Sequence, residues 1–191
     1  FGLFAYVVKK DVGTEKMKQI SSAIKEGALA YLARQNKTLA VFVVVMATII
    51  GFVYGFTRSP SMGLSMAISY VLGSICTTIA AYLGMRAAVE TNVRVAAAAR
   101  NGLKAAFPVA FYGGAVMGLF VVGISLLGIA ILFLVFKIGF GWSDADASNV
   151  ILGFSFGASA FALFAKAGGG IYTKTADISA DLVGKVELGI P

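Results

Sequence analysis

Four long apolar stretches constrain what this chain can fold into. They cover residues 38–54, 63–85, 107–136 and 149–165. A helix needs about 20 predominantly apolar residues to cross a bilayer, and each stretch is near or above that length. The sequence therefore predicts an all-α, multi-pass transmembrane helical bundle with four full spans and the remnant of an earlier one at its N-terminal end.

The composition excludes several kinds of site. The chain is 59% hydrophobic with a mean hydropathy of +0.88, which is typical of membrane proteins. It contains no His, so a triad with a His base or a His-ligated metal cannot be built from these residues. Cys76 is the only cysteine and can form no internal disulfide. We also expect no nucleic-acid partner, because the net charge of +7 is better explained by membrane topology.

The predicted segments follow from these stretches and from the polar residues between them. Residues 1–8 are predicted to be the end of a truncated transmembrane helix. Residues 9–57 are predicted to form a cytoplasmic amphipathic helix that starts near Thr14 and continues into a transmembrane helix. The other predicted segments are transmembrane helices at 63–86, 107–137 and 149–166, a cytoplasmic linker at 87–106, and a cytoplasmic helix at 167–191 that carries the candidate site. Residues 55–62 are predicted to be a turn, and residues 143–148 a short acidic loop.

Small residues recur at intervals of four within the predicted spans. Such spacing lets membrane helices approach closely, so we expect these positions to lie at helix contacts. The positions are Ser69, Gly73 and Thr77 in one span, Gly114 and Gly118 in the next, and Gly153 with Gly157 and Ser155 with Ser159 in the last.

Basic residues predict the orientation of the chain. If the four spans alternate in direction, all but two of the 16 Lys and Arg residues fall on one side, and only Arg58 and Lys137 fall on the other. Lys and Arg accumulate on the cytoplasmic side of membrane proteins. The sequence therefore predicts that residues 167–191 are cytoplasmic.

The stretch from Lys166 to Glu187 is unusually rich in charged side chains for such an apolar chain. On an ideal α-helix, Lys174, Asp177, Asp181 and Lys185 lie within a sector of about 80°, and Glu187 lies at its rim. Carboxylates and ammonium groups on one face suit an anion bound through a metal ion. The alternative is a solvated face with ordinary surface salt bridges, each worth about 0.3–0.5 kcal/mol.

The neighbouring glycines and the motif spacing narrow the chemistry. Three successive Gly residues at 168–170 cost helix stability, about 1 kcal/mol each, and favour close backbone approach instead. A phosphate-binding P-loop is excluded because Gly184-Lys185 is followed by Val186 rather than Ser or Thr. A selectivity-filter motif is also absent. The remaining hypothesis is a carboxylate–Mg²⁺ site for a phosphate compound, with lysines neutralising phosphate charge.

The sequence around these charged residues resembles that of a known family. The run GGGIYTKTADISADLVGKVE at 168–187 is similar to the signature of the membrane-integral pyrophosphatases, and its core D-x3-D-x3-K-x-E is matched in full. Further matches lie at residues 13–17 (GTEKM), 26–31 (EGALAY), 92–94 (NVR) and 113–118 (GGAVMG). The family couples pyrophosphate hydrolysis to pumping of H⁺ or Na⁺ and forms a many-helix bundle in the lipid bilayer, usually as a homodimer.

The resemblance implies roles for individual residues. Asp177 and Asp181 resemble catalytic, metal-binding carboxylates around Mg²⁺–pyrophosphate and the attacking water, and Lys174 and Lys185 resemble substrate-binding lysines. Glu187 resembles an acidic member of the substrate site. Lys166 stands where the family usually has Arg, at the junction between the hydrolytic site and the ion pathway.

The resemblance also sets wider expectations. It implies Mg²⁺ as cofactor, leaves K⁺ activation and the choice between H⁺ and Na⁺ open, and places the protein in a cell membrane or an acidic-organelle membrane. We expect the chain to be the N-terminal portion of a longer pump and to be inactive alone. The alternative function is a non-enzymatic multi-pass transporter or scaffold whose charged helix is merely solvated.

Overall fold

A computed structural model describes residues 2–189 as long helices joined by short turns. The helices are α1 (Gly2–Val8), α2 (Glu15–Thr57), α3 (Pro60–Ala99), α4 (Leu103–Leu134) and α5 (Asp144–Leu182). One π-helical turn, Val135–Gly139, extends α4, and another, Val183–Glu187, extends α5. Residues 2–189 contain no strand, and four of their helices are long and apolar enough to cross a membrane. The all-α, multi-pass prediction is confirmed.

Helix α3 lies at the centre of the bundle. It packs against α2, α4 and α5, and α1 lies against α4 and α3. Two apolar clusters fill the contacts. One contains Met62, Met66, Leu132, Phe136, Ala147, Val150 and Phe154, and the other contains Leu39, Val43, Tyr70 and Phe161. The outward faces of the helices carry many large apolar side chains, as expected for helices that face lipid.

The closest approach is between α3 and α5. The carbonyl oxygen of Tyr70 on α3 fills the space that a Cβ on Gly157 would need, and the carbonyl of Phe154 on α5 does the same at Gly73. The buried Ser74 hydroxyl donates hydrogen bonds to the carbonyl oxygens of Tyr70 (3.0 Å) and Gly157 (3.1 Å). Of the small residues predicted to mediate packing in these two helices, Gly73 and Gly157 thus lie directly at the contact, whereas Ser159 is exposed.

The predicted pair of small residues in α4, Gly114 and Gly118, does not lie at a helix contact among the described residues. A Cβ on Gly114 or Gly118 would meet no atom of residues 2–189 within 4 Å, whereas one on the adjacent Gly113 would collide with the Thr91 side chain. The face of α4 that packs on α3 is therefore the face of Gly113. The G-x-x-x-G spacing alone could not show this, because neighbouring positions on a helix point about 100° apart.

Two of the predicted connections are shorter than expected. The turn predicted at 55–62 is reduced to Arg58 and Ser59, because Ser59 caps α3 by accepting a hydrogen bond from Met62 N at 3.2 Å and Pro60 occupies the first helical position. The loop predicted at 143–148 is mostly the first turn of α5. Ser143 caps it by accepting from Asp146 N at 3.2 Å, and acidic residues suit the N-terminal end of a helix.

The segment predicted as a linker at 87–106 is also largely helical. Helix α3 continues to Ala99, and α4 begins at Leu103 after a turn in which Gly102 has a φ of +94°. The alanines between Arg86 and Arg100 explain the continuation, because Ala has the highest helix propensity.

Contacts between the helices show which ends lie together. Lys25 near the start of α2 pairs with Glu90 near the end of α3 at 2.7 Å. The rings of Tyr31 on α2 and Tyr172 on α5 are 5.2 Å apart. The start of α2, the end of α3 and the end of α5 therefore share one end of the bundle, and this is the end where the basic residues accumulate.

We expect Gly157→Ala to lower the thermal unfolding midpoint of the purified full-length protein. The added Cβ must displace the Tyr70 carbonyl, and overpacking costs about 1–3 kcal/mol. That exceeds the about 1 kcal/mol that Ala gains over Gly in a helix. The matched control is Gly118→Ala, for which we expect no decrease. Equal midpoints for the two variants would contradict the close α3–α5 contact.

We expect the turn at Arg58 and the first turn of α5 to lie on the outer side of the membrane. In a cysteine-free version of the full-length protein, cysteines at Arg58 and Ala145 should react with an impermeant thiol reagent in intact cells, whereas a cysteine at Ser22 should react only after permeabilisation. These positions leave the capping residues Ser59 and Ser143 intact. Reaction at Ser22 in intact cells would reverse the orientation.

Candidate functional site

The residues predicted for the site lie on the exposed end of α5. Lys174, Asp177 and Asp181 belong to α5 itself, and Lys185 and Glu187 lie in the π-helical turn that follows. All five side chains are exposed. Because α5 begins at Asp144, one uninterrupted helix contains both the fourth predicted span and the first three of these residues.

Only three of these five residues share one face of the helix, as predicted. Lys174, Asp177 and Asp181 follow α-helical geometry and lie within a sector of about 60°. Beyond Leu182 the hydrogen bonds change to the π pattern, in which Leu188 N donates to the Val183 carbonyl at 3.2 Å. A π-helical turn is wider than an α-helical one, so Lys185 and Glu187 do not occupy the angles predicted for an ideal α-helix.

None of these charged side chains forms an ion pair within the part of the chain that the structure describes. The ion pairs found there join Lys18 to Glu15, Lys25 to Glu90, Arg94 to Glu90 and Lys137 to Asp144. The i,i+4 salt bridges of the alternative interpretation therefore do not form in this structure. Asp177 and Asp181 keep both carboxylate oxygens available to a ligand.

The two carboxylates fit part of a Mg²⁺ site. Residues 2–189 contain no group of three or more Asp, Glu, His or Cys side chains arranged to hold a metal ion. Mg²⁺, however, is commonly bound by one or two carboxylates, with water and substrate phosphates completing its coordination. Asp177 and Asp181, one turn apart and unpaired, supply oxygen donors of that kind.

Two tyrosines connect α5 to α2 just before the charged stretch. The Tyr31 hydroxyl donates to the Ala165 carbonyl at 3.4 Å, and its ring lies 5.2 Å from that of Tyr172. A Cβ on Gly27 would lie 2.9 Å from the Tyr172 hydroxyl oxygen. From residue 173 to residue 189, almost every residue is exposed. We call Tyr31 and Tyr172 the tyrosine pair; it is where α5 leaves the bundle.

The three successive glycines are not equivalent. A Cβ on Gly168 would lie 2.6 Å from the Tyr31 hydroxyl, whereas Gly169 and Gly170 face open space among the described residues. The Gly169 carbonyl accepts a hydrogen bond from the Thr173 hydroxyl at 2.9 Å. The expected close approach is thus found at Gly168 only.

Lys166 lies beside the tyrosine pair. It is exposed, it follows Ala165, whose carbonyl receives the Tyr31 hydroxyl, and it forms no ion pair within residues 2–189.

A charge cluster at the same end of the bundle was not predicted. Glu90 accepts hydrogen bonds from Lys25 at 2.7 Å and from Arg94 at 2.9 Å, and the 93% buried Arg94 also donates to the Val8 carbonyl at 3.3 Å. Glu90 lies beyond the predicted span at 63–86, and its hydrogen bonds with Lys25 and then Arg94 lower the pKa of its carboxyl. The i,i+4 spacing of Glu90 and Arg94 could have indicated their pairing, but nothing in the sequence indicates Lys25.

Comparison with known proteins agrees with these features. The whole chain, residues 1–191, matches the family described as inorganic H⁺ pyrophosphatase. It is 47% identical, over its full length, to a K(+)-insensitive pyrophosphate-energized proton pump of Caldanaerobacter subterraneus subsp. tengcongensis. Over 97% of the chain it is 45% identical to a pump of the same name from Methanosarcina mazei. Over 99% it is 40% identical to pyrophosphate-energized membrane proton pump 3 of Arabidopsis thaliana.

The chain corresponds to a limited part of these relatives. It covers 28%, 25% and 26% of their respective lengths, so it spans about a quarter of each. The family match covers residues 1–191 and so includes the exposed end of α5. With four helices able to span a membrane and a family match from its first residue to its last, this chain belongs to the inorganic H⁺ pyrophosphatases, a family of multi-pass membrane proteins.

Proposed function

We propose that the protein carrying this chain hydrolyses Mg²⁺–pyrophosphate on the cytoplasmic side of a membrane and couples that reaction to pumping of H⁺. The observation that carries the proposal is the motif D-x3-D-x3-K-x-E from Asp177 to Glu187, on a helix that continues directly from a membrane span. The family match and the names of the relatives support it.

The proposed roles follow from the charges on the helix. Pyrophosphate is a multiply charged anion, and Lys174 and Lys185 would bind its terminal oxygens through charge-assisted hydrogen bonds. Asp177 and Asp181 would hold Mg²⁺, which, when bound, offsets phosphate charge and makes water a better nucleophile. Glu187, at the edge of this group, would contribute to substrate binding.

Hydrolysis itself needs few protein groups. The oxygen of a water molecule forms a bond to one phosphorus while the bridging P–O bond breaks, giving two phosphates. A carboxylate of the Asp177–Asp181 pair would orient this water and accept its proton, so that catalysis comes mainly from positioning and charge stabilisation. Both carboxylates are exposed among the described residues, and we propose that segments outside this chain cover and complete the site.

The names of the relatives support a choice of ion. All three relatives are named as proton pumps, and the bacterial and archaeal ones are named K(+)-insensitive. We therefore propose H⁺ rather than Na⁺ as the transported ion, and no requirement for K⁺. We also propose that the protein functions as a homodimer in a cell membrane or an acidic-organelle membrane, with the exposed end of α5 in the cytoplasm.

We expect Asp177→Asn and Asp181→Asn each to reduce pyrophosphate hydrolysis by the full-length protein by roughly a hundredfold or more. Each change preserves shape but removes the charge that would hold the metal-bound substrate, and losses of that size follow removal of a preorganised electrostatic group. Phosphate release from Mg²⁺–pyrophosphate by membrane vesicles gives the measurement.

The matched control for these variants is Asp144→Asn. Asp144 is also an exposed carboxylate on α5, but it lies at the opposite end of the helix and pairs with Lys137. Hydrolysis should remain near that of the unmodified protein. If both variants on the candidate face also retained hydrolysis, the face would be a solvated surface. A protein with no Mg²⁺–pyrophosphate hydrolysis at all would instead support a transporter or scaffold.

We expect Lys166→Ala to reduce H⁺ transport at least as severely as hydrolysis. We propose that Lys166 couples the two events by pairing with an acidic side chain outside this chain, because an unpaired charge at the membrane edge is costly. Acidification of vesicles and phosphate release should be measured on the same preparation. If the ammonium merely extends to the interface as long basic side chains do, both activities would survive and Lys166 would have no role in coupling.

A further inference from the structure

A basic cavity lies between α1, α3 and α4, separate from the charged stretch of α5. Its volume is about 340 Å³. The polar side chains that line it are Tyr6, Lys10, Asp11, Arg94, Asn101 and Lys104. Three of these are cations and one is an anion, and the charge stays net positive when the Glu90 carboxylate paired with Arg94 is counted as well.

The two lysines of this cavity are available to a ligand, and Arg94 keeps one free donor. Within residues 2–189, neither Lys10 nor Lys104 has an ion-pair partner. The Lys10 ammonium lies 4.5 Å from the centre of the Tyr6 ring, and the Asp11 carboxylate accepts from Gly13 N at 3.1 Å. Arg94 is 7% exposed, its Nη1 is paired with Glu90 and its Nε donates to the Val8 carbonyl, while its Nη2 has no hydrogen bond within residues 2–189. A buried, oriented guanidinium with a free donor at a cavity wall is preorganised for an oxyanion.

The surroundings of the cavity are those of a membrane interface. Helix α1 ends at Val8 just before Lys10, and the predicted span of α4 starts at residue 107, just after Lys104. A row of ring contacts leads from the cavity to the outer face of α4: Tyr6 is 5.1 Å from Tyr112, Tyr112 is 5.9 Å from Phe111, and Phe111 is 6.1 Å from Phe107. Phe107 and Phe111 are both mostly exposed. Tyr side chains such as those of Tyr6 and Tyr112 are enriched at the level of the lipid headgroups.

We propose that this cavity binds the phosphate headgroup of an anionic phospholipid from the cytoplasmic leaflet. Lys10, Lys104 and Arg94 would contact the phosphate, and the acyl chains would extend past the exposed rings of α4. Basic pockets between membrane helices on the cytoplasmic side recognise such headgroups, and each basic residue near an anionic lipid surface contributes about 1 kcal/mol. The proposal does not depend on pyrophosphate hydrolysis, because the cavity shares no residue with the exposed end of α5.

The test compares two lipids that differ only in headgroup charge. The full-length protein, delipidated in detergent, would be titrated with phosphatidylglycerol and with phosphatidylcholine of the same acyl chains, and bound lipids would be counted by native mass spectrometry. We expect at least one phosphatidylglycerol site with an affinity tenfold or more above that for phosphatidylcholine. Millimolar inorganic phosphate or pyrophosphate should not displace this lipid.

Substitutions distinguish lipid binding in the cavity from lipid binding to other basic residues on the surface. Lys10→Gln/Lys104→Gln should weaken phosphatidylglycerol binding by about tenfold or more, since two cations are lost. Lys10→Arg/Lys104→Arg should preserve it. The control Arg34→Gln/Lys37→Gln removes the same charge from exposed residues at the start of another predicted span and should change affinity by less than about twofold. All variants should keep the thermal unfolding midpoint of the unmodified protein.

Three outcomes would overturn the proposal. Equal affinity for the two lipids would show that the cavity does not select anionic headgroups. An equal loss of affinity in the Gln variants of the cavity and of the control would assign binding to the basic surface as a whole. Displacement of the lipid by phosphate would assign the cavity to a free anion from solution.

Discussion

The direct contact between the backbones of α3 and α5 is the interaction on which the rest of the bundle depends. Lipid is as apolar as the side chains between helices, so membrane helices associate through close packing and hydrogen bonds rather than through exclusion of water. Gly73 and Gly157 allow a carbonyl of the opposite helix to lie where a side chain would otherwise be. Because α2 and α4 pack on other faces of α3, this contact also fixes their distance from α5.

The same contact positions the candidate site indirectly, through helix α5. Asp177 and Asp181 belong to the helix that Gly157 holds against α3, and the tyrosine pair adds a second support near residue 170. Beyond that support the helix is free of the described bundle, and its charged side chains are unpaired. An exposed, unpaired set of charges at the end of a well-packed helix suits a ligand that arrives from solution and a partner surface supplied from elsewhere.

The sequence predicted the fold class better than it predicted contacts. Apolar length identified the spans because it depends only on composition over about 20 residues. The spacing of small residues correctly located the α3–α5 contact but not the packing face of α4, since spacing does not show which side of a helix faces a neighbour. The π-helical turn after Leu182, the role of Tyr31 and the pairing of Lys25 with Glu90 depend on tertiary structure and left no local pattern. The roles of Asp177, Asp181 and Lys166 remain predictions.

The carbonyl–glycine contact also restricts how α5 can move. Rotation of α5 about its own axis would bring the side chain of Phe156 or Ala158 against the Tyr70 carbonyl, where there is room only for hydrogen. Tilting α5 away from α3 would break the hydrogen bond from the Ser74 hydroxyl to the Gly157 carbonyl. Displacement along the helix axis by one turn would bring Gly153 to the Tyr70 carbonyl in one direction and the large Phe161 in the other. With 39 residues, α5 is about 58 Å long, so an axial shift would carry a displacement at its exposed end across the whole thickness of the membrane.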